Sequence, residues 1–143
     1  VKKKSGNQLI RTLSLRISGP GLHEITEDVE GIVRESGVTA GLATLFVQHT
    51  SASLLIQENA DLSAKHDLER WLARLVPDND PLYTHTREGV DDMPAHLKAA
   101  LTPVSIGIPV VDGRLALGTW QGIYLWEHRR NAGVRNVVVQ VGG

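Results

Sequence analysis

The sequence predicts an α+β fold: antiparallel, β-sandwich-like sheets with two main helices and one short helix. Three observations predict it. Segments with a two-residue hydrophobic period occur at both ends of the chain; segments with helical period stand singly between hairpins; and the last third reads as strands and turns alone. A doubly wound sheet would instead alternate strand and helix throughout. The 143 residues contain no internal repeat, low-complexity stretch or linker, so one domain over 8–143 is expected, large enough to bury roughly two thirds of its unfolded surface. Residues 1–7, with three consecutive lysines, read as a disordered tail.

Gln8 to Ile17 reads as a strand because Leu9, Leu13, Leu15 and Ile17 share one parity. Ser18 to Gly21 is a turn. Ile25, Val29, Ile32 and Val33 then recur at helical spacing, with Thr26 as N-cap and Gly37 as terminator, giving a helix over about Glu27 to Ser36. Leu42 to His49 returns to strand character, with Ala43, Leu45 and Val47 on one face and His49 at its end. A short strand, Ser53 to Gln57, follows. Asn59 then caps a helix whose apolar face is Ala64, Leu68 and Leu72, with Trp71 and Leu75 beside it, and Val76-Pro77 stops it.

Asp78 to Asp92 has no period and much turn chemistry, and a loop that long in a small domain points to function. Pro94 to Leu101 is the short helix, with His96 in its first turn. Strands are expected at Val104 to Val110, Leu115 to Trp120, Ile123 to His128 and Val134 to Val141, the first two joined by a tight Asp112-Gly113 turn.

Composition narrows the function classes. With 15 basic and 16 acidic residues there is no broad cationic field for nucleic acid, and no apolar run reaches the ~20 residues that span a bilayer. Neither nucleic acid nor membrane is an expected partner. Cysteine is absent, which suits the cytoplasm and leaves only nitrogen and oxygen to hold a metal. Arg129 and Arg130 read as solvated surface, as do His23, His66 and His128.

His49, His85 and His96 stand out because each sits at an element boundary beside a carboxylate, amide or hydroxyl. Imidazole binds metals and moves protons near neutral pH. If folding gathers these rings with a carboxylate such as Asp92, they suit Zn²⁺ or a similar divalent ion; if not, they are surface or hydrogen-bonded histidines. Ser51 and Ser53 lack the G-x-S-x-G context of a nucleophile, so their hydroxyls either bond nearby backbone or present donors to a phosphate. Glu58 and Asp61 oppose a bare anion there, which favours a metal-bridged one. Gly118 to Gly122 is either a tight bend with a packed Trp120 or a close approach that aims Gln121 into a pocket. Glu127, on the parity of Ile123 and Leu125, is either a pocket carboxylate or an exposed strand end.

The ordered set His49-Thr50-Ser51-Ala52-Ser53 with Glu58-Asn59, then Tyr83-Thr84-His85, Asp91-Asp92 with His96, and Leu117-Gly118-Thr119-Trp120-Gln121 followed by Glu127 resembles the YjbQ-like family, also known for a secondary thiamine-phosphate synthase activity. The resemblance spans about Leu9 to Val141. It implies an α+β sandwich, a homotrimer with sites near the subunit interfaces, and a divalent metal, zinc or magnesium, near the histidines. The implied reaction joins hydroxymethylpyrimidine diphosphate to thiazole phosphate with loss of pyrophosphate. By the same resemblance, His49, His85 and His96 are metal ligands or site bases, Glu58 and Asp92 support them in catalysis, and Ser51, Ser53, Asn59, Trp120 and Gln121 face a phosphorylated small molecule. A non-catalytic trimeric metal- or metabolite-binding protein and a metal-assisted hydrolase are the competing readings.

Overall fold

The structure, a computed structural model, describes residues 8–131 and 133–143, so the expected tail at 1–7 lies outside the described residues. Its elements are β1 (Gln8–Arg16), β2 (Gly21–Glu24), α1 (Thr26–Ser36), β3 (Ala40–Val47), β4 (Ala52–Glu58), α2 (Leu62–Leu75), α3 (Asp92–Leu101), β5 (Ser105–Val111), β6 (Arg114–Leu115), β7 (Gln121–Glu127) and β8 (Val134–Gly142). Two antiparallel sheets form, one in the order β1-β8-β3-β5-β6 and one in the order β2-β7-β4. The α+β class with sandwiched sheets is therefore observed.

Strand parity explains the packing. Ala43, Leu45 and Val47 of β3 and Val137, Val139 and Val141 of β8 are buried and meet Leu54, Ile123 and Leu125 of the smaller sheet in one core. Strand β7 is buried on both faces because its other parity, Tyr124 and Trp126, packs under Leu72 of α2 and Leu22 of β2. Helix α1 places Val29, Ile32 and Val33 in the main core and ends at Gly37, whose φ of 69° is the left-handed geometry glycine adopts freely. Asp112 and Gly113, at φ 52° and 76°, make the expected hairpin turn.

Several local expectations are corrected. Gly21–Glu24 is a strand because its backbone completes the edge of β7. Thr26 is the first residue of α1 and not its cap; its hydroxyl accepts the Ile123 N–H and donates to Glu24. Asp61, not Asn59, caps α2 by accepting the Ser63 N–H at 2.9 Å. Helix α3 starts at Asp92, ahead of Pro94, so His96 falls one turn after Asp92 on the same face. The strand expected over Leu115 to Trp120 shrinks to Arg114–Leu115. Beyond it Gly118 N–H is held by the Gln121 side chain at 2.7 Å, which closes a turn. Among the described residues no helix is long and apolar enough to cross a membrane.

Candidate metal centre and its ion-pair frame

Folding brings three of the candidate donors together at the mouth of the sandwich. His85 comes from the long loop, and Asp92 and His96 come from α3. The ligating atoms of these three all lie within 4.8 Å of one another. Asp92 Oδ2 stands 2.7 Å from His85 Nε2 and 3.3 Å from His96 Nε2, and the Asp92 side chain is only 3% exposed.

The hydrogen positions at His96 follow from its neighbours. Its Nδ1 lies 3.1 Å from the Thr50 carbonyl, which only accepts, so Nδ1 carries the proton and donates. In a ring with one proton, Nε2 then presents a lone pair toward a carboxylate oxygen. Two lone pairs 3.3 Å apart repel unless a proton or cation sits between them. Two donors each about 2.1 Å from one tetrahedral ion stand roughly 3.4 Å apart, so the donor types and the His96–Asp92 spacing fit a divalent metal, while His85, at hydrogen-bond distance from Asp92, has to draw back slightly to join them.

His49 lies outside that trio. Its Nδ1 accepts the Ser51 N–H at 3.0 Å, which leaves Nε2 to carry the ring proton. Burial, reinforced by the charge of Arg135, lowers its pKa and keeps it neutral near pH 7. It lines a polar cavity of about 430 Å³ together with Ser51, His85, Asp92, His96, Arg129 and Arg135. Ser51 is buried, with its hydroxyl 3.2 Å from His96 Nδ1.

The other candidates are not gathered here. Strand β4 runs away from the cavity, and the six residue steps from Ala52 to Glu58 carry the chain about 20 Å at 3.3 Å per step. Glu58 therefore sits at the far end of the small sheet, directly opposite Gln121. Asn59 is there too, its amide donating to Glu24. Trp120 is 65% exposed in a turn and lines neither of the two cavities that His49 and His96 share. Ser53 is fully buried and belongs to a chain of hydrogen bonds from His128 Nε2 (2.9 Å) through Ser53 to Thr102 Oγ1 (2.6 Å) and the Lys98 carbonyl (2.8 Å).

Three residues depart from the solvated or open readings of the sequence. Arg129 is a clamp: its guanidinium reaches Asp91 at 3.1 Å, Asp92 Oδ1 at 2.5 Å and the Glu88 carbonyl at 2.9 Å. Burial would raise the Asp91 pKa, but the Arg130 N–H and the Arg129 guanidinium outweigh it and hold that carboxyl below its ordinary range. Glu127 is fully buried and bound through both oxygens by Arg135, at 2.6 and 3.0 Å, across the two sheets. Two opposite charges on core-facing parities of strands β7 and β8 were the available signal for that pair.

His128 is also buried, because it shares the parity of Tyr124 and Trp126 beneath the helical layer. Burial, with the Lys98 charge adding to it, lowers its pKa from 6.5 to about 3. The folded chain thus refuses a proton that the unfolded chain takes up below about pH 6.5. Its contribution is complete above that pH and is lost toward pH 3, at up to about 1.4 kcal/mol per pH unit. In urea unfolding, wild type is expected to lose ~2 kcal/mol more than His128→Gln between pH 7 and pH 5. Equal losses would contradict a buried, neutral ring.

The fold and its sequence have clear relatives. The family model described as "UPF0047 protein YjbQ-like" matches residues 11–143. A UPF0047 protein from Synechocystis is 51% identical over 92% of this chain and 89% of its own length. The YjbQ protein of Escherichia coli O157:H7 is 42% identical over 93% and 96%. Among solved structures, a YbjQ-like protein of unknown function from Sulfolobus solfataricus superposes with a TM-score of 0.84 at 25% identity, covering 95% of this chain and 99% of that one. A conserved hypothetical protein from Thermus thermophilus gives 0.80 at 39% identity, covering 90% and 97%. With a family model spanning nearly the whole domain and relatives matched along almost their full length, the chain belongs to the UPF0047 YjbQ-like family.

Proposed function

We propose that this chain is a metal-dependent enzyme acting on a phosphorylated small molecule, with His85, Asp92 and His96 holding a divalent cation. The observation that carries the reading is the facing of His96 Nε2 and Asp92 Oδ2 at 3.3 Å, next to His85, on the wall of an open polar cavity. Two imidazoles and one carboxylate favour zinc over magnesium, which prefers oxygen and water. Three protein donors with an adjoining cavity suit a catalytic site, because structural zinc sites close with four.

The metal, when bound, supplies positive charge to a phosphate oxygen. The protein's own charges favour that arrangement. Asp91, Asp92 and Glu127 offset Arg129 and Arg135, so a bare anion gains little until a divalent cation is present. His49, with its proton on Nε2, serves as the acid or base that moves one proton, and Ser51 offers a hydroxyl to the bound anion. Condensation of hydroxymethylpyrimidine diphosphate with thiazole phosphate is one reaction within this class. Hydrolysis of a phosphate ester is the other.

The same proposal includes a homotrimer in the cytoplasm. Ile10, Leu42, Phe46, Val111 and Val134 all lie on the outer face of the larger sheet and are each about half exposed, an apolar surface that a second copy would cover. Sedimentation at three times the chain mass, falling to one with Phe46→Lys, checks it.

The function is tested by stripping the protein with a chelator and reloading it with Zn²⁺ or Mg²⁺. Pyrophosphate release from hydroxymethylpyrimidine diphosphate, with and without thiazole phosphate, and phosphate release from esters are then measured. Metal-restored turnover, reduced at least about 100-fold in His49→Ala with metal binding retained, is the expected result. Metal binding without turnover on any substrate would favour the non-catalytic reading, and turnover indifferent to chelation would contradict the proposal.

A further inference from the structure

The polar cavity does not end at the histidines. A second, shallow and wide-open cleft, of about 590 Å³, shares His49, Thr50 and His96 with it and is otherwise lined by Ala99, Ala100 and Val104. The two differ in chemistry: one carries both guanidiniums and the Asp92 carboxylate, while the other adds only small apolar side chains.

The apolar wall is built and held in place. Ala99 and Ala100 follow His96 by three and four residues, so they continue its face of α3 by one helical turn. Alanine at both positions keeps that turn shallow. The segment after α3 is pinned to both sheets, because the Pro103 carbonyl accepts the Leu54 N–H at 2.7 Å and the Val104 carbonyl accepts the Val47 N–H at 2.9 Å. The Val104 end of the wall is therefore anchored to both sheets. Trp120, expected to face the substrate, is not part of it.

We propose that the substrate has two halves that meet at the His49 and His96 rings: an anionic phosphate in the polar cavity and an aromatic or branched hydrocarbon body in the Ala99, Ala100, Val104 cleft. This rests on the metal-centre reading above and names its substrate class. Inorganic phosphate and short polar phosphate esters fill only the first half. Ala100 is then a specificity-determining residue, since it is exposed at the cleft and carries no donor to the metal.

Phosphonates of equal charge and growing body test this without turnover. Binding of methylphosphonate, phenylphosphonate and benzylphosphonate to the zinc-loaded protein is measured by calorimetry, after a zinc titration of the same sample. Affinity is expected to rise at least about 10-fold from methyl to phenyl, as burial of a ring's apolar surface requires. Ala100→Trp, and the milder Ala100→Met, should erase that gain while leaving zinc and methylphosphonate binding unchanged. Normal zinc binding with equal affinity for all three phosphonates, or a phenyl preference that survives both substitutions, overturns this inference alone. Failure of wild type to bind zinc overturns it together with the metal-centre reading.

Discussion

Arg129→Ala is expected to lower stability by about 3–5 kcal/mol and, where the variant still folds, to weaken zinc binding 10- to 100-fold. The guanidinium is 18% exposed and its partners Asp91 and Asp92 are 13% and 3% exposed, so its removal strands two carboxylates that solvent cannot reach freely. Breaking a buried pair costs more than the pair contributes, because the remaining charge stays desolvated. The same contact also aims the site. By taking Asp92 Oδ1 at 2.5 Å, Arg129 leaves Oδ2 for His85 and His96. Arg129→Lys keeps the charge but lacks the fork that serves Asp91, Asp92 and the Glu88 carbonyl together, so it should recover part of the stability and less of the metal affinity. Urea unfolding combined with zinc calorimetry separates the two effects. A stable variant with unchanged zinc affinity would show that the clamp neither braces nor aims Asp92.

The second large effect is expected at the pair joining the sheets. Arg135→Met leaves Glu127, which has no exposed side-chain surface, without its two-point partner and should cost about 3–5 kcal/mol. Glu127→Leu alone should cost a similar amount by burying an unpaired guanidinium. The double variant, with two apolar side chains in the same space, should regain most of the loss, because desolvation and attraction leave together. A double-mutant cycle measured by chemical unfolding checks this. Simple addition of the two losses would mean that the residues do not act as a pair.

Local physics made much of the fold readable. Two-residue parity identifies Ala43, Leu45 and Val47 as one buried row, and the Asp112-Gly113 pair announces its hairpin. Where expectation and structure part, tertiary pairing outweighs local preference. Gly21–Glu24 is a strand because β7 offers an open edge, and the polar Gly118–Gln121 contact replaces the strand expected there. In the candidate site, polarity points to His49, His85, His96 and Asp92 together, but sequence order does not separate His49 from the others. Its Nδ1 contact with the Ser51 N–H does so. Glu58, Asn59, Trp120 and Gln121 show the converse limit. Closeness along a strand is distance in space: β4 carries Glu58 and Asn59 to the opposite end of the sheet, where Trp120 and Gln121 stand at the start of β7. Arg129 and His128 read as solvated in the sequence because their burial depends on groups far away along the chain: the α3 carboxylates for one, and the helical layer over β7 for the other.

Whether His85, Asp92 and His96 hold one divalent cation is decided by anomalous diffraction at the zinc edge from crystals soaked in zinc. One strong peak is expected about 2.0–2.2 Å from His85 Nε2, Asp92 Oδ2 and His96 Nε2, absent in His96→Ala crystals treated alike. A cavity without a peak at saturating zinc, or a peak bound elsewhere and unmoved by His96→Ala, would contradict it.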